Sequence, residues 1–421
     1  MEVMCTRALL AAVLVAAAAP AQRAPVRSRS AQPQVTFSRH IAPILQQRCQ
    51  ACHRPGDVAP FPLLTYRDAA SNARRILTAV QTRQMPPWKP VPGHGEFLDE
   101  NRLSDREIAI LTRWIESGAP EGDPREMPQP LLFPDQWTLG TPDLIIEPDS
   151  DFTIGAEGQD VYRCFSVPTR LLESRWVAGI EVRPGNRRVA HHVLVYPDPL
   201  GLSALKRADG EGPGYSCFGG PGILTDNGLG GWAPGIRPRL FPQGVGIRLT
   251  PFSRVVIQVH YHATGARETD RTRVGLHFAR GPVTSELYQI PLINTRFEIP
   301  AGAERHEVTA SLVMPAIPGV KAISITPHMH LLGRQIRVDA VYPDGARRPM
   351  IYIDDWDFQW QAIYYYRDPV PLPPGTRLEL RAVYDNSENN PRNPFRPPRP
   401  VRWGEQTTDE MCLTFLGVIR E

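Results

Sequence analysis

The stretch Arg254-Val255-Val256-Ile257-Gln258-Val259-His260-Tyr261-His262 alternates along its length, and that alternation decides the fold of most of the chain. Successive side chains of an extended strand point to opposite faces. Val255, Ile257, Val259 and Tyr261 therefore share one face, while Gln258, His260 and His262 share the other. Runs of the same character recur on both sides, at 189–196, 321–330 and 377–384, separated by clusters of Gly, Pro, Asp and Asn. This is the texture of antiparallel sandwiches. It continues from about residue 136 to the end, too long for one small sandwich, so two in tandem are expected, 136–285 and 286–421.

Upstream the pattern is helical. Phe37, Ile41, Ile44 and Leu45 recur at helical spacing, with Ser38 as the expected cap. Ser104-Asp105-Arg106-Glu107 reads as a capping box, Ile108, Leu111 and Ile115 line one face, and Gly118 ends the helix. Between them lies Cys49-Gln50-Ala51-Cys52-His53, a C-x-x-C-H motif. Its spacing suits haem c: two thiols add to the two vinyl groups and the adjacent histidine reaches the iron. A redox disulfide or half a zinc site would need a second cysteine pair or a βαβ pattern, and neither follows. The usual sixth ligand is a methionine. Met85, in Gln84-Met85-Pro86-Pro87, is the one methionine between the helices, with His40 as competitor, expected on the polar side of its helix. Residues 36–120 resemble small class I c-type cytochromes, which implies a small all-α domain carrying covalent haem c.

Composition sets the outer bounds. A chain of 421 residues exceeds one ordinary core, and 45 prolines with 33 glycines favour turn-rich β structure. A net charge of +3 points neither to a nucleic-acid binder nor to a polybasic membrane protein. Arg7, the apolar run 8–19 and Ala19-Pro20-Ala21 read as a signal peptide over 1–21, with a retained anchor as the alternative. The run is too short to span a bilayer and no later segment could, so an exported protein, periplasmic or secreted, is expected. Residues 22–35 and 121–135 read as linkers. Apart from Cys5 and the haem pair, Cys164, Cys217 and Cys412 permit one disulfide and one leftover thiol.

Histidines crowd the strand-like runs. Thr326, His328 and His330 share a face opposite Ile323 and Ile325, and H-x-H on one strand face presents two imidazoles side by side, which suits a transition metal. His191-His192 is harder, because strand neighbours point apart; one metal could take both only if the strand is distorted or the rings use different nitrogens. One H-x-H alone is a weak signal, but three clusters on successive apolar strands are not explained by a zinc pattern.

Ala190-His191-His192-Val193-Leu194, Gln258-Val259-His260-Tyr261, His328-Met329-His330-Leu331-Leu332-Gly333 and Asp409-Glu410-Met411-Cys412 occur in that order. With 231–249, the series resembles the copper type II, ascorbate-dependent monooxygenases over about 136–421. The resemblance implies two jelly-roll sandwiches, one copper each, facing across a solvent cleft. It implies an electron-transfer copper on His191, His192 and His260, and an oxygen-binding copper on His328, His330 and Met411. Read without it, Met411 is a core methionine in the run Met411, Leu413, Phe415, and His262 rivals His260. It also implies a Cys164–Cys217 disulfide; the family partner of Cys412 would fall near Ala382 or Val383, leaving Cys412 free and buried. Where the peptide-hydroxylating relatives bind a substrate carboxylate, this chain has Thr326, Leu413 and Phe415, so a peptide C-terminal glycine is not the expected substrate. The expected function is hydroxylation of a small organic C–H bond with O2, fed by an external donor, ascorbate or another, through the fused haem. The alternative is a periplasmic cytochrome and copper protein that transfers electrons or holds metal without oxygenase activity.

Overall fold

In the computed structural model, residue 1 and residues 34–421 are described, except 56, 58, 134–136, 207–211, 226 and 235. All but residue 1 of the expected signal peptide, and most of the first expected linker, therefore lie outside the described residues. Among the described residues no helix is long and apolar enough to cross a membrane.

The N-terminal unit is helical. Phe37–Ile41 is a π-helical turn that runs into the α-helix Ala42–Arg48, and Asp105–Glu116 carries the expected capping box on Ser104 and Glu107. Two further helices, Tyr66–Ser71 and Ala73–Gln81, lie beyond the sequence expectation, although Thr65 and Asp68 form a second capping box. Ser38 does not cap. The preceding Thr36 occupies the N-cap position without a side-chain bond, while the buried Ser38 hydroxyl donates to the Glu121 carbonyl at 3.0 Å. Phe37, Ile41, Leu45, Leu111 and Trp114 make the core, and Val35, placed in a linker by sequence, is buried with them.

The rest is mostly β-sheet, consistent with β-sandwich domains. One sheet of the first sandwich runs Tyr215–Ser216, Val161–Pro168, Arg254–Tyr261, Ala190–Asp198, Gly230–Trp232. A six-stranded sheet built around Arg175–Arg183 covers it, and Val255, Ile257, Val259 and Tyr261 face inward, as alternation requires. The second sandwich pairs two four-stranded sheets. One runs Tyr288–Asn294, Cys412–Arg420, Val320–His328, Tyr364–Pro371; the other runs His306–Val313, Arg377–Tyr384, Gly333–Val341, Arg347–Ile353.

Ile323 and Ile325 do not share a core. A register shift between Ala322 and Ser324 turns Ile323, with Ile419, into the core of the first sandwich, while Ile325 stays in the second. A bulge reverses side-chain facing beyond it, so one strand serves both cores.

The loop after Met85 also leaves its own unit. Val91 N–H bonds the Tyr352 carbonyl at 2.7 Å and Leu98 N–H bonds the Tyr365 carbonyl at 2.8 Å. Tyr352 and Tyr365 lie on Arg347–Ile353 and Tyr364–Pro371, the edge strands of the two sheets, and Phe97 fills the gap between them inside the second core. Covering open edges removes unpaired backbone groups.

Candidate metal centres

His191 and His192 lie on Ala190–Asp198, beside His260 on Arg254–Tyr261. The register pairs His260 with His192 but Tyr261 with Ala190, so His191 is the extra residue of a bulge. That distortion lets two sequence neighbours face one point. His191 Nδ1 lies 3.2 Å from His192 Nδ1, which lies 3.3 Å from His260 Nδ1, and one ring nitrogen from each residue falls within 4.8 Å of the others. Burial pushes His191 down to about 4 and His192 well below its ordinary value, so the rings are neutral, the form that binds a metal.

Asp160 stands behind this cluster. Its Oδ2 lies 3.1 Å from His260 Nε2, leaving Nδ1 to face the other rings. Although burial works the other way, the close approach of the His260 ring, the bond from the Thr407 hydroxyl and the contact with His262 hold the Asp160 carboxyl well below the usual range. A carboxylate on the far nitrogen orients a ligating imidazole. Tyr162 stacks on His260 at 4.2 Å and 8°. His262 does not join the cluster; it is exposed and its Nδ1 meets Asp160 at 2.7 Å.

The second set sits where the strands of the other sandwich end. His328 closes Val320–His328 and pairs with Leu413; His330, expected on that strand, falls two residues beyond it, and Met411 immediately precedes Cys412–Arg420. The two rings stand 5.1 Å apart at 87°. Outer bonds occupy both Nδ1 atoms: His328 meets Gln361 Oε1 at 2.5 Å and His330 meets the Asp409 carbonyl at 3.2 Å. Each ring is left its Nε2. Burial lowers His328 to about 4 and His330 to about 3. Met411 is buried yet packs in none of the hydrophobic cores, whereas Cys412 beside it belongs to the second core. Glu410 binds the two segments together, accepting the backbone N–H of His330 at 2.9 Å, of Leu332 at 2.6 Å and of Met411 at 3.3 Å. Three converging imidazoles suit copper, and two imidazoles joined by a soft thioether would as well.

Cys49, Cys52, His53 and Met85 line one cavity of about 550 Å³, together with residues of both sandwiches. That is the size of a small-cofactor site. His53 Nδ1 is 3.0 Å from the Phe61 carbonyl, which turns Nε2 free, and both cysteines are unpaired. Burial pushes the Cys49 thiol up to about 12 and raises Cys52. Two thiols, an oriented imidazole and a thioether around one hollow fit a covalent haem. Elsewhere, Cys164 and Cys217 form the disulfide and Cys412 is a buried free thiol.

Asp160, Tyr162, Gln361 and Phe358 carry no signal in the sequence. Tyr162 becomes visible only as the register partner of His260. Glu410 lies inside the Asp409-Glu410-Met411-Cys412 motif, and an acid between Asp409 and Met411 was the available signal for its buried role.

Residues 279–418 match the family model described as copper type II ascorbate-dependent monooxygenase, C-terminal domain. The chain is 25% identical over 199 residues to "MOXD1 homolog 1" of Drosophila melanogaster, covering 44% of this chain and 27% of that protein. It is 22% identical over 276 residues to "DBH-like monooxygenase protein 1" of Homo sapiens, covering 60% and 43%, and 23% identical over 292 residues to the Gallus gallus protein of the same name, covering 64% and 44%. The chain thus spans less than half the length of these relatives. The likeness to the copper type II monooxygenases at the level of a family model thus lies in residues 279–418.

Proposed function

We propose that this chain is an exported monooxygenase that hydroxylates a C–H bond of a small, largely apolar organic substrate with O2, drawing electrons through its own haem c. The observation that carries the reading is the convergence of His191, His192 and His260 in a chain whose C-terminal third matches the copper monooxygenase family; with it we take His328, His330 and Met411 as the second donor set. When bound, copper would supply the oxygen activation at the second set and the one-electron chemistry at both. The Met411 thioether favours the reduced ion. Gln361 and the Asp409 carbonyl hold the second-set imidazoles in one tautomer and orientation. Haem c would be held by Cys49, Cys52, His53 and Met85 and take electrons singly from ascorbate or another donor.

The floor beside His328 supports an apolar substrate. Register sets Thr326 beside Phe415 and His328 beside Leu413, with Ile293 across from Leu413. Phe415 and Ile293 are exposed. Thr326, Leu413, Phe415 and Ile293 carry no cation to pair with a carboxylate, which argues against a peptide C-terminus.

The deciding experiment is analysis of the exported holoprotein. Two coppers and one haem c per chain, with O2 uptake that depends on an added apolar C–H substrate and on reductant, are expected. Full metal loading with no substrate-dependent O2 uptake across a panel of such substrates would reduce the protein to an electron carrier.

A further inference from the structure

One short segment touches all three places. Trp356 donates its indole N–H to the His330 carbonyl at 3.2 Å, and Gln361 holds His328. Between them the Phe358 ring stacks on His191 at 5.1 Å and 22°, and meets His330 edge-on at 5.6 Å and 77°. Their neighbours turn the other way: Asp357, Gln359, Trp360 and Ala362 line the cavity that holds Cys49, Cys52 and His53. Where the resemblance implies a solvent cleft between the lobes, a packed ring joins the two histidine sets at this point. Residues 355–362 are a partition with the C-x-x-C-H cavity on one side and both histidine sets on the other. The partition is pinned from the N-terminal unit as well, since Lys89 reaches Asp355 at 2.8 Å.

Resting on the haem and copper reading above, we propose that this partition is the electron-transfer element of the protein, with Phe358 as its hub. With haem c held by Cys49, Cys52 and His53 and copper by the histidines, the partition would pass one electron from ferrous haem to a cupric ion, leaving ferric haem and cuprous copper with no bond made or broken. The physical argument is continuity. Chains of packed side chains can couple two sites, and Phe358 sets one ring against a histidine from each set, on a segment whose next two residues line the cavity. Phe358 is a positioning residue here, since it ligates nothing.

The test uses the full chain loaded with haem c and copper. The haem is reduced by a substoichiometric pulse of dithionite without O2, and its reoxidation is followed by absorbance while the cupric signal is followed by electron paramagnetic resonance. Phe358→Ala should slow haem reoxidation about tenfold or more, with the haem spectrum and copper content unchanged, and Phe358→Tyr should restore the rate. If Phe358→Ala fails to hold copper, Phe358→Leu, which keeps the bulk and removes the ring, decides on the same readout. Wild-type rates in the variants would overturn the proposal while leaving the enzyme reading intact. A wild-type protein whose haem is never reoxidised by its own copper would instead remove the electron-supply reading, and this proposal with it.

Discussion

The buried carboxyl group of Glu410 accepts the backbone N–H of His330 at 2.9 Å, so the residue before Met411 is bonded to the segment that carries H-x-H. The same group also takes the N–H of Leu332 and Met411. Glu410→Ala would orphan three N–H donors, each costing roughly 1–3 kcal/mol when buried. A loss of about 3 kcal/mol or more is expected in urea unfolding. Copper content should fall from two to one, with the His191/His192/His260 signal kept. Loss of both coppers in a folded variant would show that Glu410 does not act through the second set.

Replacing His260 and His262 separately should give opposite results. His260→Ala removes a converging Nδ1 and should abolish the first copper's resonance signal. His262→Ala removes an exposed ring that meets Asp160 and lies outside the cluster, and should leave that copper in place. Equal loss in both variants would contradict the ligand set.

Met411→Ile swaps one buried apolar side chain for another of similar volume, a change that usually costs less than about 1.5 kcal/mol. The fold and the first copper should survive while substrate-dependent O2 uptake disappears. Retained uptake would return Met411 to the role of a packing residue.

Phe97→Ala tests whether the N-terminal strap belongs to the second sandwich. The ring is buried in that core, and Phe→Ala in a core costs about 3–5 kcal/mol. Proteolysis within residues 286–421 should accelerate. Damage confined to the helical unit would refute the packing.

Thr326→Arg would place a cation on the floor beside His328, across from Phe415. Carboxylate-bearing substrates should then gain in kcat/KM relative to neutral ones, read from competition assays. No change in that ratio would move the substrate elsewhere.

Periodicity, caps and motif spacing are local properties, and a linear chain displays them. Alternation in 254–262 by itself marks a half-buried strand, Ser104 and Glu107 mark a helix start, and C-x-x-C-H with Met85 marks a cofactor cradle. Relative placement is what the linear chain does not display. Whether His191 and His192 can face one point turns on a bulge set by pairing with Arg254–Tyr261. The choice of His260 over His262 turns on where that strand ends and on Asp160, far earlier along the chain. Ile323 changes cores through a register shift, and Phe358 meets both histidine sets only because two sandwiches dock. Residue types and their periods are written along the backbone; register, bulges and docking come from long-range pairing, which single-residue patterns do not encode.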